Sequence, residues 1–225
     1  MRAKPDKASL VLTPLQEEIL RAIARSEIGD LFFLTGGTAL SAFYLQHRLS
    51  EDLDFFTGDA AGMTVVRSFF TDIAGKIGAG VEYRRAYSTF LDCVVTGRSG
   101  EQVRVDFAVD PVARLEPVLR EEHYGIQIDN SLDIVCNKLS ALFDRHEPKD
   151  FVDIFFIDKE MYPFPEVLQN ARRKHVGMDN FWLAQSLRRV ETVSILPRMI
   201  KELRLDEMRH FFLGWAEKLV DELGE

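Results

Sequence analysis

The chain carries little sulfur. Among 225 residues there are only two cysteines, Cys93 and Cys136. Their spacing matches no metal-ligand pattern, which excludes a thiolate zinc site and a disulfide-built scaffold and fits a reducing, cytoplasmic setting. Long apolar runs are also missing. No stretch approaches the roughly 18 consecutive apolar residues of a membrane span, and the opening MRAKPDKASL lacks the apolar core of a secretory leader. A soluble protein with no membrane partner is therefore expected. Positive charge is in deficit, with 28 Lys and Arg against 36 Asp and Glu and a net charge of −8. That balance excludes generalised nucleic-acid binding and leaves room for a local basic groove. Internal repeats and low-complexity segments are absent. What remains is ordinary globular material, 46% apolar and 28% charged, enough for one large domain or two small ones.

Residues 31–57, LFFLTGGTALSAFYLQHRLSEDLDFFT, organise the rest. The apolar run Leu31–Leu34 reads as a strand, Thr35-Gly36-Gly37-Thr38 as a turn and Ala39–Gln46 as a helix. His47–Glu51 reads as a polar turn before a strand that opens at Asp52-Leu53-Asp54. Upstream, residues 1–12 read as a loose arm. Thr13-Pro14 is placed to cap and start an amphipathic helix running to about Arg25. Downstream, Val65–Ile77 has helical periodicity. Val81–Tyr87, Phe90–Thr96 and Gln102–Val109 are rich in β-branched and aromatic residues and read as strands, with a hairpin turn at Gly97–Gly100 and a stop at Pro111. Gly125–Ile128 reads as one more short strand, leading to Asp129-Asn130-Ser131, a capping cluster. From Ser131 the chain is helical, in segments to about Arg145, then Lys149–Asp158, Glu166–Lys174, Asn180–Thr192 and Leu205–Leu223. The expected fold class is α+β, a mixed β-sheet with flanking helices over residues 1–128. A helical half over 129–225 is expected to complete an active-site cleft.

The chemistry centres on two features. Side chains on a strand repeat every second residue, so Asp52 and Asp54 share a face. Paired carboxylates repel, and a fold keeps them where a cation sits between them. A glycine turn before a helix offers free backbone N–H groups to a phosphate. A glycine pair alone usually marks a tight turn, and a lone Asp-x-Asp a solvated strand edge. Together, with fourteen residues between them and strands on either side, they suggest a nucleotide–metal site. Asp106 is an unusual mid-strand carboxylate on the same face as Arg104. It is either ion-paired to Arg104 or another base, or the third carboxylate of a metal triad that would hold two Mg²⁺ ions.

These residues carry a resemblance. Gly36-Gly37-Thr38-Ala39-Leu40, His47-Arg48-x-Ser50-x-Asp52-Leu53-Asp54-Phe55 and Lys149-Asp150-Phe151-Val152-Asp153 resemble the nucleotidyltransferases of the DNA polymerase β-like superfamily. Within it, they resemble the AbiEii/AbiGii and MenT-type toxin family, over roughly residues 31–158. The resemblance implies a nucleotidyltransferase fold and transfer of a nucleoside monophosphate from an NTP to an acceptor hydroxyl. It further implies Mg²⁺ or Mn²⁺ as cofactor, the 3′ end of a tRNA among the acceptors, and a toxin countered by a separate antitoxin. Asp52, Asp54 and Asp106 would hold the metals. Gly36, Gly37 and the hydroxyl of Thr38 or Ser50 would cradle the phosphates. Lys138 occupies the position of a lysine that precedes the Lys-Asp-x-x-Asp element in this family and steadies developing charge.

Read from the residues alone, these roles have alternatives. Lys138, within the stripe Val135, Cys136 and Leu139, faces either a site or, by snorkelling, solvent. Lys149 is the second candidate cation. Asp150 orients either Lys138 or the nucleotide, and Asp153 binds there or pairs with Arg145. Arg48 takes a phosphate or pairs with Glu51 or Asp52. Ser50 bonds phosphate or turns the chain. Arg172-Arg173-Lys174-His175, Arg188-Arg189, Arg198 and Lys201 are solvated helix surface by default, or a groove for an RNA backbone. Phe181, Trp182, Phe211, Phe212 and Trp215 are expected in the core. Two other functional classes fit the same carboxylates: a nucleotide-binding module without catalysis, and a metal-dependent phosphohydrolase.

Overall fold

The computed structural model describes residues 7–110 and 113–223. The start of the expected arm, residues 1–6, and the strand stop at Pro111 lie outside them. The chain forms two compact units. One holds Met1–Gln46, Ser50–Pro111 and Glu116–Asn130; the other holds His47–Leu49, Val112–Leu115 and Ser131–Glu225. Among the described residues no helix is long and apolar enough to cross a membrane.

The first unit is built on a mixed seven-stranded sheet. Its strands are β1 (Phe33–Thr35), β2 (Asp52–Thr57), β3 (Gly80–Ala86), β4 (Phe90–Thr96), β5 (Gln102–Val109), β6 (Leu119–Arg120) and β7 (Gln127–Ile128). They lie in the order β3-β4-β5-β2-β1-β7-β6. β2 runs antiparallel to β1 and parallel to β5, and β7 runs parallel to β1. β4 and β5 match the sequence reading residue for residue. β6 has no counterpart in it, because two exposed residues carry no readable period.

Alternation fixes which way β2 and β5 face. Leu53 and Phe55 point into the core, as do Val103, Val105 and Phe107, while Asp52, Asp54, Arg104 and Asp106 share the half-open face. Phe107 is the hub. It stacks on Phe55 at 5.3 Å between ring centres and meets Phe32 and Phe70 edge-on at 5.2 and 5.0 Å. Burial of each such ring is worth about 1.5–3 kcal/mol, so the carboxylate face rides on a stiff aromatic floor.

Helix α1 (Pro14–Ala24) has the expected start. Thr13 Oγ1 accepts the Gln16 N–H at 3.2 Å, and Gln16 Oε1 accepts the Thr13 N–H at 2.9 Å, closing a capping box. Gln16, fully buried, also donates Nε2 to the Ser50 carbonyl at 3.0 Å, steadying the residues that lead into β2. The helix after the glycines differs from expectation. It begins at Gly36, as α2 (Gly36–Ala39), then widens into a π-helical turn over Leu40–Leu45 and ends at Gln46 in the left-handed region. Helix α3 (Gly62–Lys76) covers the core with Val66, Phe70 and Ile73.

The second unit is helical: α4 (Ser131–Arg145), α5 (Pro148–Glu160), α6 (Phe164–Lys174), α7 (Asn180–Arg188) and α8 (Leu205–Asp221). Its core is again aromatic, with Phe151 against Phe212 at 5.1 Å and Phe164 against Trp215 at 4.9 Å. An ion pair between Asp133 and Lys174 is fully buried, and the same carboxylate accepts the Leu115 N–H at 3.1 and 3.2 Å. Phe212 is in the core as expected. Phe181 and Trp182 are not: they are 47% and 61% exposed on the outer face of α7, because its buried side is filled by Leu183, Ala184 and Leu187.

Candidate active site

β2 and β5 set the carboxylates. Their parallel register places Asp52 beside Arg104 and Asp54 beside Asp106. On the next strand, Asp92 is opposite Asp106. Three carboxylates, Asp54, Asp106 and Asp92, thus form a row across three strands. Arg104 answers part of this charge, with NH2 2.8 Å from Asp106 Oδ2 and Nε 3.3 Å from Asp92 Oδ1. The ion pair expected of Asp106 is therefore present, and so is its alignment with Asp54.

Asp106 and its neighbour Asp92 shift in opposite directions. Burial pushes the Asp106 carboxyl up to about 6, with the charges of Asp54 and Asp92 adding to the rise and Arg104 opposing it. Asp92 is buried too, yet the hydrogen bonds and charges of Arg85 and Arg104 outweigh that burial and hold it below the usual range.

The glycine turn abuts this row from β1. Thr35 is the register partner of Asp54, so Gly36 follows directly beside the carboxylate. Gly36 has φ +70, and a Cβ there would come 2.1 Å from Asp54 Oδ2. Glycine is required twice over at this position, by conformation and by contact. Gly36 and Gly37 are half-exposed at the start of α2. Thr38 is fully buried and donates its hydroxyl to the Asp52 carbonyl, a strand-positioning contact. Ser50 is half-buried two residues before Asp52.

The donor chemistry of this face suits a hard divalent cation. Asp52, Asp54 and Asp106 offer carboxylate oxygens on one half-open surface, the ligand type Mg²⁺ and Mn²⁺ prefer. Among the described residues no three metal-ligating side chains already converge, and Arg104 is the cation in contact with Asp106.

The remaining predicted residues lie in the helical unit. Asp153, fully buried, is the centre: His47 Nε2 is 2.7 Å from Oδ1, Arg48 bonds it through Nε at 2.7 Å and NH2 at 2.9 Å, and Lys138 Nζ is 2.8 Å from Oδ2. Burial disfavours the Asp153 charge, but Lys138 and Arg48 overcome it and hold the carboxyl well below its ordinary range. Burial lowers His47 despite the same carboxylate. Lys138 thus points inward, 6% exposed. Arg48 pairs with neither Glu51 nor Asp52 but forks onto Asp153.

The Lys-Asp-x-x-Asp carboxylates take partners other than those the spacing suggested. Asp150 receives Arg145, with Nε at 2.8 Å and NH2 at 2.7 Å, and Asp153 receives Lys138. The turn at His146-Glu147 explains the exchange: stepping back along α4 from Arg145 to Lys138 means stepping forward along α5 from Asp150 to Asp153. Lys149 is partly exposed and sits 3.0 Å from Glu147.

Sequence reasoning missed two residues here. Asp92 had a signal, as an Asp inside the apolar strand Phe90–Thr96. Asp129 looked like part of a helix cap, yet it is fully buried, accepts the Thr35 hydroxyl at 2.7 Å and offers its carbonyl to the Tyr44 hydroxyl at 2.7 Å.

Comparisons with known proteins bear on the family and the fold. The family model described as "Nucleotidyl transferase AbiEii toxin, Type IV TA system" matches residues 18–219. An uncharacterized protein of Aquifex aeolicus, aq_aa25, is 30% identical over 173 residues, covering 76% of this chain and 80% of the relative. Two solved structures share the fold. JHP933 from Helicobacter pylori superposes with a TM-score of 0.58 at 19% identity, covering 93% of this chain and 90% of that one. MenT4, a nucleotidyltransferase toxin from Mycobacterium tuberculosis, has a TM-score of 0.60 at 12% identity, covering 92% of this chain and 82% of that one.

Proposed function

The chain belongs to the AbiEii nucleotidyltransferase toxin family, and from that premise we propose that it transfers a nucleoside monophosphate from an NTP to an RNA hydroxyl, with a tRNA 3′ end as the acceptor, releasing pyrophosphate. The observation that carries the reading is the register that sets Asp54 beside Asp106, with Asp52 on the same face and Gly36 against Asp54.

Asp52, Asp54 and Asp106 are the residues that would hold Mg²⁺ or Mn²⁺, which when bound screens the triphosphate and makes the acceptor hydroxyl easier to ionise. Gly36 and Gly37 present backbone N–H groups to the β- and γ-phosphates, with Ser50 as the hydroxyl donor. Thr38 acts on the site through the Asp52 carbonyl. Asp106, whose proton affinity is raised, is suited to take the acceptor proton. From the helical unit, Lys138 is the candidate to steady charge on the departing pyrophosphate, and Asp153 fixes its ammonium group together with Arg48. Asp150 is a positioning residue through Arg145, and Lys149 is a partly exposed nucleotide contact. The family's description as the toxin of a type IV toxin–antitoxin system supports a cognate antitoxin as partner and a cytoplasmic setting.

The test is incubation with each labelled NTP, a divalent cation and total RNA. Label in RNA is the expected result. Free nucleotide alone would make the protein a phosphohydrolase, and binding without turnover a nucleotide-binding module. Transfer that survives Asp52→Ala combined with Asp54→Ala would overturn the site.

A further inference from the structure

The outer face of α7 is anomalous in a chain of net charge −8. Phe181, Trp182, Gln185 and Arg188 are exposed along it, and Arg189 follows directly. No carboxylate stands among them. The Phe181 and Trp182 rings meet edge-to-face at 5.2 Å and need no further packing, since the inner side of the helix already fills the core. At the start of α7, Arg172 from the last turn of α6 donates to the Met178 carbonyl at 3.2 Å and to Asn180 Oδ1. Arg173 donates to Asn170 Oδ1 at 3.0 Å.

Arg172, Arg173, Arg188 and Arg189 are all exposed, and among the described residues none is paired with a carboxylate. Other cations of the same unit do take such partners, Lys159 with Glu207, Lys201 with Glu160 and Arg204 with Asp206, so the four arginines stand out as a group around one helix. Two carboxylates beside the start of α7 are engaged otherwise, and Glu191 stands exposed two residues beyond Arg189. Asp179 caps the helix by accepting the Trp182 N–H at 3.0 Å, and Glu222 accepts Asn180 Nδ2 at 2.9 Å.

We propose that this face is a docking surface for single-stranded RNA, with bases stacked on Phe181 and Trp182 and phosphates along Arg172, Arg173, Arg188 and Arg189. The occupant follows from charge and shape together. Guanidinium groups whose charge no carboxylate answers call for a polyanion, and two exposed rings call for flat apolar faces. Phe181 and Arg188 are seven residues apart, about 10 Å along the helix, so one short strand reaches both. This surface deepens the RNA-acceptor reading and rests on it.

The experiment separates the two. Fluorescence anisotropy of a labelled single-stranded oligoribonucleotide with the full chain, without NTP, reads the surface. Transfer of NMP to the same oligonucleotide reads the acceptor. The parent protein is expected to bind, more weakly as salt rises. Phe181→Ala with Trp182→Ala should weaken binding about tenfold or more. Arg188→Gln with Arg189→Gln should weaken it and flatten its salt dependence. Both variants should keep the parent's melting temperature and NTP affinity. Variants that bind and label RNA as the parent does would sink the surface and leave the acceptor reading standing. A parent that binds through this face but labels no RNA would sink the acceptor reading and leave the surface. A parent that forms dimers which the variants dissolve, with RNA binding unchanged, would make the face an interface between copies and overturn the proposal.

Discussion

Gly36 and Asp54 fit only without a side chain at position 36: a Cβ there would fall 2.1 Å from the Asp54 carboxylate oxygen. Gly36→Ala must therefore move Asp54 and also strain a left-handed backbone. The strain costs about 1–2 kcal/mol. The displacement of the carboxylate should reduce NMP transfer by about a hundredfold or more. Single-turnover rates beside a melting curve check this. A variant that melts earlier yet transfers at the parent rate would show that Asp54 can shift freely.

Asp106 gives a stability signature with a defined sign. Its carboxyl is raised to about 6 in the folded state, so the fold binds the extra proton and is favoured at low pH. That stabilisation is complete below the unfolded value near 4 and lost as pH rises through about 6. Asp106→Asn should therefore raise stability near neutral pH in metal-free buffer. The gain is about 1–2 kcal/mol once screening at its half-open face is allowed for, and it should vanish toward about pH 4. Denaturant melts across that range decide it; a gain that grows on acidification contradicts the assignment.

Arg104 competes with any cation for Asp106. Removing it by Arg104→Gln should make the protein less stable without divalent metal and more responsive to added Mg²⁺ or Mn²⁺. The expected readout is a larger metal-induced rise in melting temperature than in the parent. An unchanged or smaller rise would mean that Asp106 does not contribute to cation binding.

Asp153 has no substitute. Asp153→Asn leaves Arg48 and Lys138 buried with no carboxylate between them, which should cost about 3–5 kcal/mol. The native carboxyl is held far below its usual range, so its contribution is fully present above the unfolded value near 4. It is lost as pH falls through the lower folded value. The parent's margin over the variant should shrink on strong acidification. Equal melting temperatures at neutral pH would show that the cluster is not coupled to folding.

Much of this was legible in the sequence because two periods carry it. Alternation placed Asp52 and Asp54 on one face, and the strands Phe90–Thr96 and Gln102–Val109 were readable from end to end. Alternation does not say which strand lies alongside, so the meeting of Asp54 with Asp106 required the parallel β2–β5 pairing. Helical spacing put Asp150 and Asp153 on one side of α5, but only the turn between α4 and α5 decides which of them meets Lys138. Trp182 and Phe181 defeated the rule that large rings go inside, because that rule describes averages and a binding face departs from it. Asp129 hid as a cap residue because its partner Thr35 is far away in sequence.

The thiol of Cys93 has its own consequence. It lies in β4 next to Asp92, fully buried, 3.3 Å from the Val105 carbonyl, and burial with the charges of Asp106 and Asp92 pushes it up to about 12. In the folded sheet it is almost entirely un-ionised and out of reach of thiol reagents. Its rate of labelling in native buffer is therefore a clock for opening of β4 away from β5. Slowing of that clock when nucleotide and metal are added would report, without any substitution, that ligands tighten the strands that carry the carboxylates.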